Sequence, residues 1–141
     1  MNNYKIFKMP DYIDKVAWIE VKDKKLLMTR SHGTDAWYLP GGKREAGETD
    51  TQTLQRETHE ELNISIDPAT ATHYGTFEAQ AHGKPEGTLV RAACYMANYT
   101  GTITPGSEIA EAQYLPYSRK GETGQVAHAL FDDLHQKGLI E

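Results

Sequence analysis

The sequence predicts an α+β protein: a single domain, residues 1–141, with a mixed β-sheet packed between helices as an α/β/α sandwich. Three observations lead there. Short runs containing Val, Ile, Tyr and Phe recur between Gly- and Pro-bearing turns, two stretches carry apolar residues at helical spacing, and 141 residues suit one compact core. With 38% apolar and 25% charged residues, the composition is that of a soluble globular chain.

Taken in order, residues 3–9, 15–22 and 26–30 read as strands, the last two joined by the charged turn "KDKK". "SHGTDA" is a loop. "WYLPGG" at 37–42 is extended, because Pro40 disfavours helix and the glycine pair permits unusual backbone angles. A helix follows over about 50–62. Thr49 with Gln52 fits a capping box, Asp50 complements the helix dipole, and Leu54, Thr58 and Leu62 recur every fourth residue. Asn63 stands where the chain leaves the helix, a position that favours the left-handed conformation. "THYGTFEAQAHG" and "TLVRAACYMANYTG" are strand candidates around the turn at 83–87, and Val126, Leu130 and Leu134 mark a second helix over about 123–137.

Charge and cysteine usage narrow the function classes. A formal charge of −5 with one cysteine argues against extended nucleic-acid binding, an internal disulfide and a cysteine-rich zinc site. Cys94 reads as a buried structural thiol. There is no apolar run of membrane-spanning length and no signal-peptide pattern, which predicts a cytoplasmic protein. An anionic ligand would therefore need local cations.

The first helix carries Glu57, Glu60 and Glu61 within about 100° of arc, next to the stripe formed by Leu54, Thr58 and Leu62. Like charges at this spacing repel by roughly 0.2–0.5 kcal/mol per pair. Two readings follow: a solvated acidic face with Arg56 pairing Glu60, or a hard-cation site for Mg²⁺ or Mn²⁺ at the edge of the core. His59 points away from the acids and belongs to neither.

The residues before the helix favour the second reading. The pattern Gly42, Glu48, Arg56, Glu57, Glu60, Glu61 resembles the signature G-x5-E-x7-R-E-U-x-E-E-x-G-U of the Nudix (MutT-like) hydrolases, over a box at 42–64. Thr58 replaces a bulky apolar residue and Asn63 replaces glycine; the Thr58 hydroxyl must then find a partner. "WYLPGG" resembles the family's aromatic-x-x-Pro-Gly-Gly approach to the box, and "SEIAEAQYLP" at 107–116 its later Glu-rich segment before an aromatic strand.

The resemblance implies a metal-dependent enzyme that cleaves a nucleoside diphosphate linked to another group, with Mg²⁺ or Mn²⁺ as cofactor. By the same resemblance Glu57, Glu60 and Glu61 hold metal, the backbone of Gly41 and Gly42 approaches metal or phosphate, and Arg56 with Glu48 braces the loop. The general base is left open between a box glutamate and a loop carboxylate, Glu108 or its rival Glu111. Arg30, Lys43 and Arg44 are candidate cations for phosphate oxygens, and His82 and Lys84 occupy a hairpin tip. Thr123 or Gln125 stands nearest to where some relatives read a purine base.

A nucleoside triphosphate, ordinary or oxidised, giving monophosphate and pyrophosphate is the first substrate expectation. Dinucleoside polyphosphates, ADP-ribose and capped RNA are the alternatives. A homodimer is compatible with the sequence. A nucleotide-binding module without turnover is a different class, and it is disfavoured because the box keeps all its carboxylates. A lipid-diphosphate isomerase would need a catalytic cysteine, which the strand position of Cys94 does not suit.

Overall fold

The computed structural model describes residues 11–81 and 83–141; the strand expected at 3–9 and the loop residue His82 lie outside them. The elements are β1 (Asp11–Ile19), β2 (Val21–Lys22), β3 (Lys25–Ser31), β4 (Gly41–Gly42), α1 (Asp50–Leu62), β5 (Ser65–Ile66), β6 (Thr72–Gln80), β7 (Thr88–Met96), β8 (Tyr99–Thr100), β9 (Ile109–Leu115) and α2 (Gln125–Gln136). Short 3-10 helices, Pro68–Thr70 and Tyr117–Glu122, complete the chain. No described helix is long and apolar enough to cross a membrane.

A four-stranded mixed sheet runs in the order β4-β1-β7-β6, with β1 parallel to β7 and the other pairs antiparallel. A three-stranded antiparallel sheet, β2-β3-β9, and the pair β5-β8 complete the strands. Burial explains the layering. On β1, Val16 and Trp18 pack in the core with Leu54 and Leu62 of α1, whereas Ala17 and Ile19 pack in the core with Leu130 and Leu134 of α2. Both faces of the strand are covered, which is why "VAWI" reads as an unbroken apolar run. On β3, Leu27 joins the first core, Leu26 and Met28 the second. The α+β class and the sandwich layers are those expected.

Several boundaries differ from the sequence reading. The strand expected at 15–22 begins at Asp11 and breaks at Glu20 into β1 and β2. Its first half contains Asp11, Asp14 and Lys15, weak strand formers, and is held by a nine-residue parallel register with β7, from Asp11↔Thr88 to Ile19↔Met96. The second helix starts at Gln125, two residues later than expected, because the N–H of Thr123 closes the preceding 3-10 turn and Gly124 becomes the N-cap. The hairpin around 83–87 joins β6 to β7 as expected. Cys94 is fully buried, and that burial pushes its thiol up to about 12.

Candidate active site

Helix α1 is built as its sequence requires. Thr49 caps it with the reciprocal Gln52 bond, and Asn63 ends it at φ 57° and ψ 35°, the left-handed conformation that glycine adopts elsewhere. Leu54, Thr58 and Leu62 have no solvent exposure. The Thr58 hydroxyl donates to the carbonyl of Leu54 at 2.7 Å, so it is satisfied inside its own helix. This buried stripe aims the adjoining acidic face toward β4 and the end of β1.

Arg56 answers the repulsion among the acids. Its guanidinium bonds Glu48 through two nitrogens, Nε to Oε2 at 2.8 Å and Nη2 to Oε1 at 2.9 Å, and reaches Glu57 Oε1 at 2.8 Å and the carbonyl of Lys43 at 2.9 Å. Glu60 lies 3.6 Å away, so the pairing at i+4 is the weaker one. Hydrogen bonds from Arg56, the backbone N–H of Glu45 and the Thr53 hydroxyl hold the Glu48 carboxyl down at about 2. One arginine therefore ties loop 43–48 to the helix and sits against Glu57.

Two glycines bring the loop in close. At Gly41, φ is +140°, and a side chain would collide with the carbonyl of Val16 on β1. At Gly42 a Cβ would stand 2.5 and 2.7 Å from the two carboxylate oxygens of Glu57. The amide of Gly41 donates to Glu61 Oε1 at 2.8 Å. Burial dominates the electrostatics of both acids: Glu61, 5% exposed, is pushed up to about 8, and Glu57 is raised despite its bond to Arg56.

A cleft of about 260 Å³ opens beside these groups. Lys15, Gly41, Gly42, Glu61 and Glu108 line one part of it; Tyr38, Leu39, Val90, Gln125 and Val126 are among the residues lining the rest. Tyr38 lies against Gly124, where a Cβ would be 3.0 Å from its ring, so this second part is partly aromatic. The Glu108 carboxyl is held below its ordinary value by the Ser107 hydroxyl, and its charge bears on both Glu57 and Glu61. Its loop is docked on the C-terminus of α1: the amides of Thr104 and Gly106 donate to the carbonyls of Leu62 and Glu61, and Asn63 Nδ2 donates to the carbonyl of Thr104 at 2.7 Å.

The nominated residues thus divide. Glu48, Arg56, Glu57, Glu61, Gly41, Gly42 and Glu108 come together. Glu60 borders them, largely exposed, and His59 faces solvent as expected. Arg30 does not reach the cleft lining; its guanidinium is taken by Glu111 at 2.9 Å and by the carbonyl of Thr34. Arg44 is taken by Asp50 at 2.5 Å, and Lys43 is exposed outside the lining. The arginines are diverted because each has a carboxylate partner closer than the cleft. Glu111 is spent on Arg30, which leaves Glu108 as the loop carboxylate in the cleft. Lys15 and Tyr38 were missed: the register of β1 with β7, which no local pattern announces, brings Lys15 to the cleft.

The donor set fits a hard divalent cation. It consists of carboxylate oxygens, and a buried carboxylate pushed to about 8 is a group whose charge a cation would restore. Among the described residues no three acidic, His or Cys side chains converge on one point. Glu57 is drawn to Arg56 and Glu61 to the Gly41 amide, so the acids share a face while keeping separate partners.

Comparison with known proteins agrees with this geometry. The NUDIX domain family model matches residues 12–129. The human protein named 8-oxo-dGDP phosphatase NUDT18 is 30% identical over 106 residues, covering 74% of this chain and 30% of that protein. The chain thus spans less than a third of that relative's length. The solution structure of the E. coli ORF135 protein shares the fold at a TM-score of 0.71, with 22% identity over 90% of this chain and 91% of that one. The crystal structure of MutT protein from Methanosarcina mazei Go1 does so at 0.71, with 18% identity over 92% and 96%. A domain match over most of the chain, with the box glutamates gathered around Gly41 and Gly42, leads to one conclusion: the chain belongs to the Nudix hydrolase family.

Proposed function

We propose that this enzyme hydrolyses a phosphoanhydride bond of a nucleoside polyphosphate with Mg²⁺ or Mn²⁺, a nucleoside triphosphate being the first substrate. The observation that carries the reading is the placement of the Glu57 and Glu61 carboxylates against Gly42 and Gly41, at a cleft whose other part is apolar and aromatic. That pairing suits a ligand with an anionic chain and a planar base.

In this reading Glu57, Glu60 and Glu61 would hold the metal once their carboxylates turn to it, with the Gly41 backbone beside them. The bound cation supplies charge neutralisation on the phosphate chain. Arg56, braced by Glu48, fixes the rotamer of Glu57 and the course of loop 43–48. Gly42 leaves room for the Glu57 carboxyl. Glu108 lines the cleft and is ionised at neutral pH, as a proton acceptor for the attacking water must be. Water adds to one phosphorus, its proton passes to Glu108, and the other phosphate leaves.

A second reading, a nucleoside diphosphate substrate, is favoured by the name of the human relative, an 8-oxo-dGDP phosphatase. A phosphate- and pyrophosphate-release screen separates the two. It would cover nucleoside di- and triphosphates with and without 8-oxoguanine, dinucleoside polyphosphates and ADP-ribose. Glu57→Gln and Glu61→Gln are each expected to lower turnover by about 100-fold or more while the fold persists, the scale on which loss of one charge-stabilising group acts. Full activity in both variants would overturn the reading.

A further inference from the structure

The cleft is short of positive charge. Its acidic members are Glu61 and Glu108, and the arginines nearest to it are engaged: Arg56 by Glu48 and Glu57, Arg44 by Asp50, Arg30 by Glu111. Among the described residues, Lys15 is the one cation in the lining. It is half-buried, and among those residues its ammonium makes no hydrogen bond or ion pair while keeping some contact with solvent. A half-buried ammonium without a partner is unfavourable, and an anion arriving in the cleft would relieve it.

Strand geometry puts this lysine where a phosphate chain would run. Gly41 and Gly42 pair with Ala17 and Val16, so Lys15 is the next residue outward on β1, within reach of the charge of Lys43. Period two sends Lys15 and Ala17 to the same face, and Ala17 is the partner of the glycine whose amide holds Glu61. Burial and the nearby charge of Lys43 push the ammonium's pKa down, while Glu61 and Glu57 act in the opposite sense.

We propose that Lys15 is the substrate-contacting cation of this enzyme, its ammonium binding a non-bridging oxygen of the nucleotide's phosphate chain across the cleft from the glutamates of α1. The proposal rests on the nucleotide-hydrolase reading above. It assigns to β1 the task that the sequence offered to Arg30 and Arg44. As a compact point charge, lysine suits one non-bridging oxygen of a phosphate group whose other oxygens face the glutamates.

The test uses the whole chain as wild type, Lys15→Met and Lys15→Arg. Calorimetric titration with α,β-methylene-dGTP in Mg²⁺ reads phosphate-dependent binding, with deoxyguanosine as the control lacking phosphate, and KM and kcat are measured on the best substrate of the release screen. Lys15→Met is expected to weaken the analogue by about tenfold or more, which is ~1.4 kcal/mol. Deoxyguanosine binding and the Mg²⁺-induced rise in Tm should not change, and Lys15→Arg should recover most of the affinity. Should Lys15→Met not fold, Lys15→Gln replaces it in the same comparison.

Unchanged analogue binding in the neutral variant, or an equal loss for deoxyguanosine, would overturn the assignment. So would loss of the Mg²⁺ response, which would make Lys15 a prop for the glutamates. If the wild type neither binds the analogue nor hydrolyses any nucleotide of the screen, the functional reading falls and takes this assignment with it. If it does both and Lys15→Met matches it, the assignment alone falls.

Discussion

The carboxylate of Glu57 occupies the space that a side chain on Gly42 would need, its two oxygens lying 2.5 and 2.7 Å from an ideal Cβ there. Gly42→Ala should therefore displace the end of a flexible side chain and leave the backbone in place. Turnover is expected to fall by up to about 100-fold, the cost of a misplacement near 1 Å, with little change in urea midpoint. Gly41→Ala should behave differently. Its φ of +140° and the backbone of Val16 beside it make the new methyl both strained and overpacked, on the order of 3 kcal/mol of stability. Equal midpoints for the two variants would refute this distinction.

Glu61 makes stability depend on pH in a definite direction. Its carboxyl is pushed up to about 8 in the fold from an ordinary value of 4.5, so between those limits the native state holds a proton that the unfolded chain has lost. The contribution is present in full below pH 4.5 and disappears as pH rises through about 8. In metal-free protein the melting temperature should fall across this window, and Glu61→Gln should flatten the fall. Protons compete with cations for the carboxylate, so the Mg²⁺-induced rise in Tm should grow with pH. A Tm of the metal-free wild type that climbs from pH 5 to 8 would contradict the sign.

Arg56→Lys tests whether the guanidinium fork matters beyond its charge. Lysine cannot reproduce the paired bonds to Glu48 while also meeting Glu57 and the carbonyl of Lys43. A drop in kcat of about 10–100-fold is expected, the range for groups that orient metal-binding side chains, with the fold retained by circular dichroism. Wild-type kinetics in this variant would show that charge alone suffices.

Asn63→Gly restores the residue of the family signature and removes only the 2.7 Å bond from Nδ2 to the carbonyl of Thr104. The left-handed backbone is preserved, so the stability cost should be about 1 kcal/mol or less. Asn63→Ala should cost more, since the left-handed conformation adds about 1–2 kcal/mol for a residue with a plain Cβ. Thermal unfolding of both variants checks the order.

Much of α1 was legible because its determinants are local. Thr49, Gln52 and Asn63 cap it within one turn of either end, and the fourfold spacing of Leu54, Thr58 and Leu62 sets its buried side, hence the side on which Glu57 and Glu61 must lie. The same holds for the hairpin of β6 and β7, where turn and strands are neighbours. Residues 11–14 were not legible as strand, because Asp11 and Asp14 disfavour it and pairing with residues 88–91 decides the matter.

By itself the sequence determined the family resemblance, the α+β class, the boundaries of α1 and which glutamates share its face, since each depends on spacing along one chain segment. Only the tertiary structure decided which charges meet. Arg30 and Arg44, expected near phosphate oxygens, meet Glu111 and Asp50 instead of the cleft lining, and the register of β1 between Gly42 and β7 brings Lys15 into that lining. Ion pairing depends on distances of a few ångströms between residues far apart in the chain, and those distances exist only after the strands have paired.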